Sequence, residues 1–155
     1  MCRYPLGIMI DPAPTIKIDP RLARGILLEV VEATATKPRF VRLGFPNTSY
    51  EISLLPEGEI TTEPGKQIVG TIHARATRLD TISAGGRFVD PVFGRPRRVQ
   101  GCVIAVNSET NEVIVSAGVP VHLTPTDKRQ KATDFHEGDF VTCGVLDGAV
   151  FRPEA

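Results

Sequence analysis

Gly101-Cys102-Val103-Ile104-Ala105-Val106 is a short apolar run with the grammar of an earlier one, Gly25-Ile26-Leu27-Leu28-Glu29-Val30. The segments downstream of the two runs also correspond. Tyr50-Glu51-Ile52-Ser53-Leu54 falls opposite Val119-Pro120-Val121-His122-Leu123. Pro64-Gly65-Lys66-Gln67-Ile68-Val69-Gly70 falls opposite Glu137-Gly138-Asp139-Phe140-Val141-Thr142-Cys143-Gly144. Four elements recurring in order read as an internal duplication, which concerns architecture before it concerns chemistry.

The apolar runs are short, rich in Val, Ile and Thr, and cut by turn residues, a pattern that selects strands over helices. Strands are predicted at about 25–35, 39–43, 49–55 and 67–79, and again at about 100–107, 112–118, 119–124, 139–146 and 149–152. Asn107-Ser108-Glu109-Thr110-Asn111 has hairpin composition, and Thr36-Lys37-Pro38 stands in the equivalent place of the first half. Gly65 and Gly138 each end an acidic loop and enter a strand, as residues needing positive φ do. Alternation points Tyr50, Ile52, Leu54, Val119, Val121 and Leu123 inward, and Glu51, Ser53, Pro120 and His122 toward solvent.

The fold class expected is therefore all-β: two similar small barrel-like units, OB-like or Greek-key, sharing an interface. One larger barrel made by intertwining the copies is the alternative. Residues 1–24, with four prolines, form an extended N-terminal arm. Residues 25–79 form the first β unit, 80–98 an Arg/Gly/Pro-rich connecting segment, and 99–155 the second. A copy of about 50 residues buries little core alone, so the two are expected to pack together. Around Gly138-Asp139-x-Val141, the order of long strand, hairpin, loop, Gly-Asp and strand resembles the OB-fold class. That resemblance implies a barrel of the kind that commonly binds oligonucleotides or oligosaccharides on one face, and it carries over no functional residue.

The 155 residues are 41% hydrophobic and 23% charged, which excludes a disordered chain. A formal net charge of zero gives no global field toward nucleic acid or anionic membrane. No apolar stretch approaches the roughly 18–20 residues of a membrane span, and Leu6–Ile10 is too short for a signal-peptide core, so no membrane partner and a cytoplasmic location are expected. Three cysteines without a CxxC pair fit a reducing compartment, with Cys102 and Cys143 as buried free thiols.

The strongest local chemistry is basic. Residues 75–98 hold Arg75, Arg78, Arg87, Arg95, Arg97 and Arg98 against only Asp80 and Asp90, with Phe88 and Phe93 interleaved. Arginine's planar fork suits carboxylate and phosphate, and arginine with aromatics is the composition of a single-stranded nucleic-acid groove. The competing reading makes the same arginines a clamp onto acidic copies, through carboxylates such as Glu109, Glu112, Asp134 or Glu137, with both phenylalanines as core plugs. No catalytic motif is present: there is no nucleophile elbow, HExxH, P-loop or GxGxxG. His73, His122, His136, Cys102 and Cys143 form no ligand pair at a recognised metal spacing, so neither metal nor cofactor is expected. The function expected is a non-enzymatic binding or self-assembling structural module, partnered by itself or another protein. Single-stranded nucleic acid or another anionic ligand on 75–98 is the alternative.

Overall fold

The computed structural model describes residues 19–154, and most of the expected N-terminal arm lies outside them. Among the described residues the protein is all-β, with eleven strands in one mixed sheet and a single turn of 3-10 helix at Ala132–Asp134. No helix is long and apolar enough to cross a membrane among these residues.

The first half forms β1 (Ala23–Val31), β2 (Phe40–Gly44), β3 (Glu51–Pro56) and the long β4 (Gln67–Thr81). Two short strands come next, β5 (Phe88–Asp90) and β6 (Phe93–Gly94). The second half forms β7 (Arg98–Asn107), β8 (Glu112–Ser116), β9 (Pro120–Pro125), β10 (Phe140–Val145) and β11 (Val150–Pro153). Each strand expected from the sequence is present to within a few residues.

β1 pairs antiparallel with β2, β2 with β3, and β1 with the start of β4. β7 pairs antiparallel with β8, β8 with β9, and β7 with β10. The halves then exchange strands. β11 runs parallel to β3 and antiparallel to β4 at residues 70–73. The later part of β4 runs parallel to β9 at 73–76 and antiparallel to β10 at 76–81. The pairings trace two circuits, β1-β2-β3-β11-β4 and β7-β8-β9-β4-β10, and β4 belongs to both.

Both expected glycine turns are where positive φ is needed. Gly65 has φ 90° and donates its amide to the Leu27 carbonyl at 2.7 Å, while Gly138 has φ 97° and donates to the Val103 carbonyl at 2.8 Å. Immediately beyond Leu27 in β1 and Val103 in β7, the register against β2 and β8 shifts by a bulge. A bulge bends and twists its strand, as curling a small sheet requires.

Alternation assigned most faces well. Ile52, Leu54, Val119, Val121 and Leu123 are buried in one continuous core with Leu27, Leu43, Ile72 and Phe151. Tyr50 is half-buried, its hydroxyl donating to the Ala117 carbonyl and accepting from the Val89 amide, both at 3.0 Å. Glu51 is half-buried against Arg42 rather than fully exposed. Ser53 overturns its outward assignment at 9% exposure, and so does His122, which is only 8% exposed. Its strand lies beside β4, which sets His73 next to it, and the Arg21 carbonyl caps its ring.

Two further expectations need correction. Cys102 is buried, but it is disulfide-bonded rather than a free thiol; Cys143 is the buried free cysteine. Phe93 is no core plug, being 61% exposed, and Phe88 is half-buried. The segment between the halves touches both of them, as a crossing loop would. β5 pairs with β7 and β6 with β3, and Val89 between them is buried.

Candidate functional site

Two places concentrate chemistry. The first is the arginine segment. Arg75, Arg78, Arg87, Arg95, Arg97 and Arg98 are all exposed. Three of them surround the turn after β10. The Arg97 carbonyl accepts from the Val145 amide and the Arg75 carbonyl from the Leu146 amide, both at 2.8 Å. Arg95 pairs with the Asp147 carboxylate at 2.8 Å, and the Arg75 guanidinium reaches the Asp147 carbonyl at 3.4 Å. Backbone pairing in the sheet thus gathers positions 75, 95 and 97 around residues 145–148, with Asp147 as the acidic group among them.

The carboxylates paired with Arg78 and Arg95 differ from those expected. Arg78 pairs with Asp80 and Arg95 with Asp147, while Glu112 bonds His73 and Thr110, and Asp134 accepts from the Lys131 amide. Both arginine pairs are solvent-exposed, and pairs of that kind contribute little to stability. Arg98 donates to the Thr142 hydroxyl at 3.2 Å. Beside this turn, Arg95, Pro96, Asp147 and Gly148 line a cleft of about 540 Å³ together with Lys37, Pro38 and Phe40. The exposed Phe93 lies under the Arg42 guanidinium, 5.6 Å from its ring centre, next to the exposed Val92.

The second place was not legible as a site from the sequence. His73 on β4 and His122 on β9 are direct neighbours in parallel register, their ring centres 4.7 Å apart. Glu112, at the start of β8, reaches between them. Its Oε2 lies 2.6 Å from His73 Nδ1 and its Oε1 lies 3.9 Å from His122 Nδ1. Oxygen partners occupy the outer positions: Thr71 Oγ1 lies 2.7 Å from His73 Nε2, His122 Nε2 donates to the Arg21 carbonyl at 3.1 Å, and Thr110 Oγ1 donates to Glu112 Oε1 at 2.9 Å. The three side chains are 10–15% exposed and border a cleft of about 460 Å³ that also includes Arg21 and Arg152.

Burial pushes the Glu112 carboxyl up, but hydrogen bonds from His73 and Thr110 and the nearby imidazole charge outweigh it, leaving it below its ordinary value. Burial holds His122 below its ordinary value, with the His73 charge adding to that effect. His136, grouped with these residues as a candidate ligand in the sequence, stands apart: its ring is 80% exposed. Cys102 is occupied by its disulfide, and burial pushes the Cys143 thiol up to about 12, so neither offers a thiolate. Sequence spacing could not reveal the cluster, because residues 73, 112 and 122 meet only through strand pairing. The one local signal is a polar residue at full strand register between apolar neighbours, Ile72-His73-Ala74 and Val121-His122-Leu123.

Compared with protein-family models, curated proteins and solved structures, the chain matches none.

Proposed function

We propose that this protein is a non-enzymatic binding module made of two duplicated OB-like barrels, with the arginine surface of residues 75–98 as its contact for an anionic partner. Three features support the architecture: the corresponding pair sets β1-β2-β3-β4 and β7-β8-β9-β10, the bulges after Leu27 and Val103, and the glycine turns bonded to those same two residues. Each circuit places a strand borrowed from the other half parallel to its own third strand.

The observation that carries the binding reading is the gathering of Arg75, Arg95 and Arg97 around residues 145–148, beside a cleft that also holds Lys37. The Arg95 side chain borders that cleft, and guanidinium forks suit phosphate or carboxylate groups. A single-stranded oligonucleotide is the probe of choice, because phosphate contacts release counterions and give the binding a measurable salt slope. Affinity measured by fluorescence anisotropy across a salt series should fall steeply. The fourfold substitution of Arg87, Arg95, Arg97 and Arg98 by Ala should abolish binding while leaving the molecular mass in solution unchanged. Binding that ignores both salt and the substitutions overturns the reading.

A second reading, self-assembly, rests on a separate observation. Val92 and Phe93 are the large apolar side chains most exposed among the described residues, at 46% and 61%. They sit next to Arg42 and its partners Glu29 and Glu51. An apolar pair ringed by charge is suited to the centre of a contact between copies. Phe93→Ser should then dissociate the oligomer in sedimentation velocity; a wild-type chain that is monomeric at all concentrations removes this reading.

A further inference from the structure

We propose that His73, Glu112 and His122 form a binding site for one divalent first-row transition ion, with a fourth coordination position open to the cleft. Their three donor atoms lie within 4.8 Å of one another, on β4, β8 and β9. Two imidazoles and one carboxylate are a ligand set that suits zinc and its neighbours, and three protein ligands leave room for water or a small anion.

The orientation of the rings carries the inference further than proximity does. A backbone carbonyl only accepts, so the hydrogen bond from His122 Nε2 to the Arg21 carbonyl fixes the hydrogen on Nε2. In the neutral ring Nδ1 then carries the lone pair and lies 3.9 Å from a Glu112 carboxylate oxygen, two electron-rich atoms with no hydrogen between them. A cation between them satisfies both. His73 presents the same edge: its Nδ1 also faces Glu112, and its Nε2 rests on the Thr71 hydroxyl.

That hydroxyl can donate or accept. When an ion takes the Nδ1 position of neutral His73, the ring hydrogen moves to Nε2 and Thr71 Oγ1 becomes its acceptor. The Thr110 hydroxyl holds the remaining ligand through Glu112 Oε1. Outer partners of this kind orient metal-binding histidines and carboxylates, and here each of the three ligands has one.

The distances ask for a small adjustment. Donors bound at about 2.0–2.1 Å around a tetrahedral ion sit roughly 3.3 Å apart, so the three donor atoms, here within 4.8 Å of one another, draw together around the ion. Arg21 and Arg152 border the cleft, each paired with a carboxylate, Asp19 and Glu57. The site is independent of the arginine surface around residues 145–148.

The test uses the full-length chain, stripped with a chelator and titrated with zinc by calorimetry. Cobalt serves as the spectroscopic probe, and histidine ring signals are followed by NMR. One zinc per chain is expected, with cobalt giving the intense visible bands of a low-symmetry site. The ring resonances of His73 and His122 should shift and those of His136 should not. Glu112→Gln and His122→Gln should each weaken binding by about 100-fold or more. Thr71→Val should weaken it about tenfold, the scale of an outer-partner loss, and His136→Gln should leave it unchanged. Absence of saturable one-to-one binding, or ring shifts confined to His136, overturns the proposal on the wild-type protein alone, whether or not the variants fold.

Discussion

Single residues in this fold are constrained mainly by backbone proximity and by local charge. At Gly101, a Cβ would collide with the Ser116 carbonyl oxygen and come within 3.1 Å of the Ala117 Cα. The obstacles are main-chain atoms of the paired strand and cannot rotate away. Gly101→Ala should therefore cost about 1–3 kcal/mol through overpacking, read as a lower denaturation midpoint with an unchanged denaturant slope. The His122–Glu112 pair gives a second expectation, for the metal-free protein. Both groups have folded-state values below their ordinary ones, 6.5 and 4.5, so the unfolded chain binds more protons and stability rises with pH. Their contribution is complete above about pH 7. It is lost on acidification, first below 6.5 through His122 and then below 4.5 through Glu112. Denaturation midpoints across that range should fall with pH, and His122→Gln should remove the upper part of the slope.

Elements were the most legible scale, because period-two alternation and turn chemistry act locally. Ile52 shows this: its strand, its face and its burial to 1% all derive from Tyr50-Glu51-Ile52-Ser53-Leu54. Ile52→Ala should cost on the order of 2–4 kcal/mol, measured by chemical denaturation, since a cavity adds to the lost burial. Legibility ended where an element's second face depends on a distant strand. β9 is buried on both sides from Val121 to Leu123, so the alternation that placed its apolar residues misplaced His122. The covering groups come from β4 and from Arg21, which are 49 and 101 residues away in sequence. The same reason hid the candidate metal site. Its ligands lie on three strands, and no spacing rule spans a parallel pairing made across the halves. Cys102 failed similarly: its burial was readable in Gly101-Cys102-Val103, and its bonding partner was not.

For the whole molecule the decisive feature is β4, whose fifteen residues serve β1 and β11 at one end and β9 and β10 at the other. Because β11 closes against β3, and β4 against β9, the last pairings join strands far apart in the chain. Topologies dominated by such pairings fold slowly, so refolding followed by stopped flow should fall in the millisecond-to-second range. Unfolding should also proceed in one cooperative transition, since neither circuit is complete without the other half. Two separable transitions in calorimetry would contradict this coupling.

The exchange of strands makes the protein divisible in an unusual way. Ser83 to Gly86 is exposed and joins β4 to the rest of the chain. A cut there yields one piece that keeps β1 to β4 but lacks β11, and another that keeps β5 to β11 but lacks the later part of β4. Each fragment holds the strand its counterpart needs, so the halves behave as lock and key rather than as beads on a string. Expressed separately in reducing buffer, they should be unstructured or aggregated. Mixed, they should restore the strand signal in circular dichroism at one-to-one stoichiometry, giving a reporter whose two parts are each silent until they meet.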